Sequence, residues 1–234
     1  MSQPKNWPSA LPYLKAPLHS KELTPTHLAA LRARPSSSSS DTSSGSSPMP
    51  IMPASETPIP CPRVRIQAIQ LPSHPAHGQH GLFATQHLKP GSLILAYLGR
   101  VHGSTGAAAA SDYDLWLDRD ADVAVDAARQ GNEARFVNDF RGIGPRANAE
   151  FRSVFCERWG QVCVGVWVLG TETGTTGKRK SKSKKGGVVA AGGKRSGDCG
   201  IRKGEEILVS YGKGFWEERR REMEGSGVED GGGG

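Results

Sequence analysis

Apolar and polar positions change their rhythm near residue 63. From there the chain reads as a series of short β-strands. RVRIQAIQL (63–71) alternates with a period of two, GLFAT (81–85) is short and extended, and KPG (89–91) is a turn before the β-rich run SLILAYLG (92–99). YDLWLD (113–118) and DVAVD (122–126) continue the pattern; YDLWLD reads first as packing, with Tyr113 a further candidate for a site. NAEFRSVF (148–155) and QVCVGVWVL (161–169) predict two strands joined around Trp159–Gly160. GEEILVSYG (204–212) predicts a last strand, and GFWEERRREME (214–224) a short helix with a charged, solvated outer face. So many short strands with so little helix predict a mainly β fold of small sheets with short helices.

The first 60 residues follow no such period. They are rich in Pro and Ser, with PSSSSSDTSSGSSPMP (35–50) the clearest low-complexity tract, and are expected to be disordered because they offer little apolar area against the entropy of ordering. One short helix is predicted inside them, with Thr24 as N-cap, Pro25 at the first helical position and HLAALRAR following. The expected organisation is a disordered region over 1–60, a folded domain over 61–220 interrupted by a basic low-complexity insertion at about 171–200, and a flexible Gly-rich tail over 221–234.

Composition agrees with that division. Only 36% of the residues are hydrophobic, beside 30 Gly and 16 Pro, so polar segments dilute a more ordinary core. No apolar run approaches the ~20 residues of a membrane span, and MSQPKNWPSA lacks a signal peptide's apolar stretch, so no membrane association is expected. Cys61, Cys156, Cys163 and Cys199 form neither a zinc-type pair nor a disulfide framework, which suggests a reducing compartment. The net charge of +7 sits in one place: ten Lys or Arg against two acidic residues between Thr171 and Lys203 exceed the whole-chain value, leaving the rest near neutral. Within that stretch KRKSKSKK (178–185) reads either as a nuclear-import signal or nucleic-acid-contacting arm, or as a solvated loop between two strands.

His74, His77 and His80 in HPAHGQH invite a metal, but Pro75 and Gly78 make a loop without preset geometry and no second ligand cluster supports it, so none is expected. No GxSxG, P-loop or HExxH pattern occurs. NEARFVNDFRG (132–142) is harder to place: Phe136, Val137 and Phe140 call for an interior, whereas Asn138, Asp139 and two arginines call for a site.

Taken in order, GLFAT, the Tyr97-Leu98-Gly99 triplet, NEARFVND and GEEILVSYG resemble the SET-domain protein lysine methyltransferases over about residues 63–220. The resemblance implies a SET-like β-clip fold with a knot-like core, in which the segment at 132–142 passes beneath a loop formed by the last strand. It implies S-adenosylmethionine as cofactor and a protein lysine, as in a histone tail, as the group methylated. Tyr211 would be the catalytic tyrosine, and Tyr97 and Val209 would line the lysine channel. Gly81, Leu82, Phe83, Arg135, Phe136, Asn138, Asp139 and Trp216 would hold the cofactor: Asn138 by its methionyl part, Asp139 through its backbone at the adenine, Trp216 (or Phe215) as a cover. A monomer is expected, located in the nucleus with the cytoplasm as second compartment. Three departures stand out. Asp139 replaces the family's usual His, Asn148 is the displaced counterpart of a later Asn, and no cysteine follows Tyr211, so a zinc-binding module after the domain is not expected. The alternative reading is a SET-fold module that has lost catalysis and serves as a scaffold in chromatin; a third is a nucleic-acid-binding protein acting through the insertion.

Overall fold

The computed structural model describes residues 3–35, 49–104, 111–170 and 200–212. The fold is mainly β, built of small sheets with a single α-helix among the described residues. The expected strand pair around Trp159–Gly160 is its longest feature: β10 (Ala149–Cys156) and β11 (Gln161–Val168) pair antiparallel from Ala149↔Val168 to Cys156↔Gln161. On its other side β11 pairs with β5 (Leu93–Tyr97), while β2 (Ile51–Met52) extends the sheet beyond Phe155 and Cys156. Every residue of β11 is buried, because the strand is flanked on both edges and covered on both faces. Val164, Val166 and Val168 enter the main core. Cys163 and Trp167 enter a smaller one with Leu93, Ala96, Leu98, Val154 and Cys156.

Gly165 makes that second core fit. A Cβ there would meet Trp167 Nε1 at 2.6 Å and Leu93 Cδ1 at 2.7 Å, while the indole is held by its bond from Nε1 to Arg152 O (3.2 Å). Gly165→Ala is therefore expected to destabilise the protein by about 1–3 kcal/mol, the usual cost of overpacking, measured by denaturant unfolding. A loss under about 0.5 kcal/mol would mean that Trp167 is free to repack.

A second four-stranded sheet runs β1 (Leu18–His19), β6 (Arg100–His102), β8 (Val123–Asp126) and β7 (Asp114–Asp118). Two small pairs complete the set. β3 (Val64–Ala68) lies antiparallel to β4 (His80–Ala84), with Val64 and Ile66 inward and Arg65 and Gln67 outward as the alternation predicts. β9 (Asn138–Asp139) lies parallel to β12 (Leu208–Val209).

The expected boundary at residue 60 is not where the fold begins. Residues 3–35 and 49–60 are laid over the domain and join its core. α1 (Pro25–Arg32) is capped as predicted: Thr24 Oγ1 accepts from His27 N (3.3 Å), and Thr24 N donates to His27 Nδ1 (3.2 Å). Leu31 on this helix is 2% exposed, and Trp7 is 8% exposed. Leu14 N donates to Gly131 O (2.7 Å) and Gly131 N to Pro12 O (3.2 Å), while β1 extends the second sheet beside β6. The physical reason is that a few large apolar residues in a polar segment dock on a surface already formed, and averaged composition hides them. Residues 36–48 of the low-complexity tract, 171–199 of the insertion, and 213–234, with the predicted helix and tail, lie outside the described residues. Among the described residues no helix is long and apolar enough to cross a membrane.

Candidate functional site

The stretch from Asn132 to Asp139 is fixed residue by residue. Asn132 is buried, its Oδ1 accepting from Leu98 N (3.0 Å) and its Nδ2 donating to Ala96 O (2.8 Å), so it fastens the segment to the end of β5. Glu133, 1% exposed, accepts from Tyr13 O–H (3.0 Å) and Cys61 N (2.8 Å), and burial beside this carboxylate drives the Tyr13 phenol above its ordinary range. A 3-10 turn over Glu133–Phe136 sends Val137 into the core and delivers β9 alongside β12. Apolar side chains anchor the turn, and polar ones emerge on the far side of it.

The segment 205–209, which ends in β12, is the hub against which these parts meet. Ala84 N donates to Glu205 O (2.9 Å), Ile207 N to Leu82 O (2.8 Å) and Phe140 N to Val209 O (3.0 Å). Asn148 closes the other side: its Nδ2 donates to Glu206 O (2.7 Å), its Oδ1 accepts from Leu208 N (2.8 Å), and its N donates to Leu208 O (3.0 Å). The predicted last strand is thus only two residues long by pairing, because its neighbours approach from several directions and no single partner runs beside it.

Two cavities adjoin here, of about 710 Å³ and about 740 Å³, and Asp112, Tyr113, Arg135 and Tyr211 line both. Both volumes lie in the ~300–1,000 Å³ range of small-molecule sites. The first is walled by Tyr97, Phe151, Val137 and the outer residues of β7. The second is walled by His80, Phe136, Asn138, Asp139, Arg141 and Pro8. Tyr211 stands at the seam. Its O–H donates to Val137 O (2.7 Å) and its N–H to Asp139 Oδ2 (2.7 Å). Burial, then Tyr113 and the carboxylates of Asp139, Asp112 and Glu206, push its phenol well above the usual range. Tyr97 is shifted the same way by burial and by Tyr211; its O–H donates to Tyr113 O (2.8 Å) and its ring meets Phe151 edge-on at 5.9 Å. Arg135 ties the seam down, with Nε donating to Ala127 O (3.0 Å), Nη2 to Ala128 O (3.3 Å), and the guanidinium 4.5 Å from the centre of the Tyr113 ring.

The site residues named from the sequence fall into groups. Tyr97, Arg135, Phe136, Asn138, Asp139 and Tyr211 come together around the two cavities. Val209 does not: it is fully buried in the main core and lines neither cavity. Gly81, Leu82 and Phe83 also line neither. Leu82 turns inward to the core, Phe83 bridges to Glu206, and Gly81 lies against the Glu206 carboxylate, where a Cβ would come within 3.1 Å of its Cδ. Their neighbour His80 reaches the cavity instead. Trp216 lies outside the described residues. Asp139 acts through its side chain: it accepts from Arg141 N (2.8 Å) and Tyr211 N, and pairs with Arg141 Nη1 at 2.8 Å. An acceptor-only side chain suits that place, which gives a reason for Asp there.

Tyr113, a candidate for the site that reads first as packing in the sequence, lines both cavities; sequence reasoning missed Glu206, read as part of a strand. It also missed the wall contribution of Pro8. No group of three His, Cys, Asp or Glu suited to a metal occurs among the described residues. Cys61, Cys156 and Cys163 are free and buried.

No family model matches the chain, and no curated protein matches it. Among solved structures it is similar to the Chaetomium thermophilum polycomb repressive complex 2, with 18% identity over 64% of this chain and a TM-score of 0.40. It is also similar to an active polycomb repressive complex 2 in the basal state, with 19% identity over 64% of this chain and a TM-score of 0.42. The match spans 15% of either of those chains.

Proposed function

We propose that the chain is an S-adenosylmethionine-dependent protein-lysine N-methyltransferase of the SET type. The observation that carries this is the seam: two cavities of ligand size meeting at Tyr113, Arg135 and Tyr211, one with polar walls at Asn138 and Asp139 and one with aromatic walls at Tyr97 and Phe151. A two-substrate transfer needs that arrangement, with donor and acceptor held in line and kept from water.

The residues present fit the cofactor. The larger cavity offers the rings of Phe136 and Tyr113, the Asn138 amide, the Arg141 guanidinium and nearby carboxylates, a mixture suited to a ligand carrying an aromatic base, a carboxylate and cationic groups. When bound, S-adenosylmethionine supplies an electrophilic methyl group. The smaller cavity receives the lysine. Its aromatic walls strip water from the ammonium, favouring the neutral amine that attacks, and tolerate the methylated product. Tyr211 keeps its proton because burial and nearby carboxylates oppose its ionisation. With that proton given to Val137 O, the phenol oxygen is left as an acceptor at the seam, where it steadies polarised C–H or N–H groups. Tyr97 holds Tyr113 through its main-chain oxygen, and Arg135 fixes the Tyr113 ring, so both act on the walls.

The expected substrate is a protein lysine such as one in a histone tail, and the expected compartment is the nucleus, with the basic insertion available for import or nucleic-acid contact. Asn138→Ala is expected to weaken S-adenosylmethionine binding by ~10-fold or more, the usual loss when a charged group gives up a hydrogen bond. Calorimetric titration of the full chain measures it. A folded wild-type chain that binds no S-adenosylmethionine would overturn the proposal and leave a non-catalytic scaffold as the reading to test.

A further inference from the structure

The histidine-containing loop at 74–80, which suggested a metal and served none of the chemistry above, connects to the larger cavity through a chain of hydrogen bonds. Ala76 N donates to His74 Nδ1 (3.0 Å), so that nitrogen is the acceptor of the ring. His74 is buried, and its other nitrogen, Nε2, lies 3.1 Å from Glu206 Oε2. With Nδ1 committed as acceptor, the proton of the ring sits on Nε2 and points at the carboxylate. The other carboxylate oxygen, Oε1, takes the next step, accepting from Asn138 Nδ2 (2.8 Å). The same amide nitrogen also faces His80 O at 3.4 Å. A carboxylate and a carbonyl can only accept, so the amide has one permitted orientation, with NH₂ toward Glu206 and His80 and Oδ1 turned away from them, in a residue that lines the larger cavity. Gly81 belongs to the device, because any side chain there would displace the Glu206 carboxylate.

We infer that His74 and Glu206 are positioning residues that lock the Asn138 carbonyl oxygen toward the larger cavity, making that point of the wall selective for a ligand ammonium group. The main-chain N–H of Ala76 sets the tautomer of His74, His74 orients Glu206, and Glu206 sets the polarity of Asn138. The inference rests on the cofactor reading above and deepens it: the group recognised is the α-ammonium of the amino-acid end of S-adenosylmethionine. A wall that offered NH₂ at the same point would repel that group.

Glu206→Gln reverses the polarity while conserving shape. His74 Nε2–H obliges the introduced glutamine to present its oxygen to the ring and its NH₂ to residue 138, which turns the Asn138 amide over. The test is calorimetric titration of the full chain with S-adenosylmethionine and with the analogue whose α-amino group is replaced by hydrogen. The wild type is expected to prefer the amino ligand by ~10-fold or more. E206Q is expected to lose that preference. The double variant N138D/E206Q, which moves the negative charge one residue along the chain of bonds, restores an oxygen facing the cavity and is expected to regain it. It also carries the test if E206Q alone does not fold, since it again pairs a donor with an acceptor between residues 74 and 206 and between 206 and 138. An unchanged preference in E206Q overturns the inference, as does a wild type that binds both ligands equally; in either case the cofactor reading stands. Binding of neither ligand by the wild type overturns both.

Discussion

Tyr211→Phe is expected to lower the rate of methyl transfer by about two orders of magnitude or more, the scale on which misplaced reacting groups cost rate, with S-adenosylmethionine affinity nearly unchanged. The hydroxyl donates to Val137 O, which holds the tyrosine at the seam; on the proposed reading its oxygen also accepts from the reacting groups. Phenylalanine keeps the ring and loses both functions. It also leaves the Val137 carbonyl without that donor, at a cost of about 1–3 kcal/mol in stability. Single-turnover transfer of a labelled methyl group to a histone protein, beside a titration with the cofactor, separates the effects. A variant that transfers at the wild-type rate would remove Tyr211 from the chemistry. A variant that binds cofactor far more weakly would make it chiefly a wall of the larger cavity.

The second large effect is far from the seam in sequence. Trp7→Ala is expected to cost about 3–5 kcal/mol, the range for removing a large buried aromatic, and so to lower the melting temperature by about 10 °C. Trp7 meets Tyr13 edge-on at 5.0 Å and Phe136 at 5.7 Å, and its Nε1 donates to Leu11 O (2.6 Å). Phe136 lines the larger cavity and Pro8 is part of the same wall, so cofactor affinity should fall together with stability. Thermal unfolding and calorimetry on one sample read both quantities. Retention of the wild-type melting temperature would show that the N-terminal strap lies on the domain without supporting it.

Much of the sheet architecture was legible because alternation reports a strand's two environments directly. In β3 it separated Val64 and Ile66 from Arg65 and Gln67, and the two runs around Trp159–Gly160 marked the pair β10 and β11. The cap at Thr24 was legible for the same local reason, since the bonds that make it span three residues. The strap was not. Whether Trp7 is buried depends on Phe136, which lies far along the chain, and the Pro- and Ser-rich surroundings outweighed it in any local average. The site divides in the same manner. Asn138 and Tyr211 stood in recognisable motifs. The chain of bonds from His74 through Glu206 to Asn138 joins three separate segments, and the local pattern of none mentions the others. Val209 lay within a motif yet faces the core, because its pairing with Asp139 fixes the direction in which it points.

The segment at 205–209 also sets a condition on how the molecule is made. It completes the hydrogen bonding of β4, is the partner of β9, and brings Tyr211 to the seam, yet it is among the last described residues to leave the ribosome. Until then the nascent chain carries β4 and β9 with exposed, unpaired edges, and the pairings awaited are of long sequence separation, which form slowly. Such intermediates associate readily with one another. A chain stopped before residue 205 would hold nearly all the apolar residues of the domain and lack the segment that closes it, so premature termination there should yield aggregate rather than a partly folded domain. Productive synthesis then depends on shielding those edges until the final strand arrives.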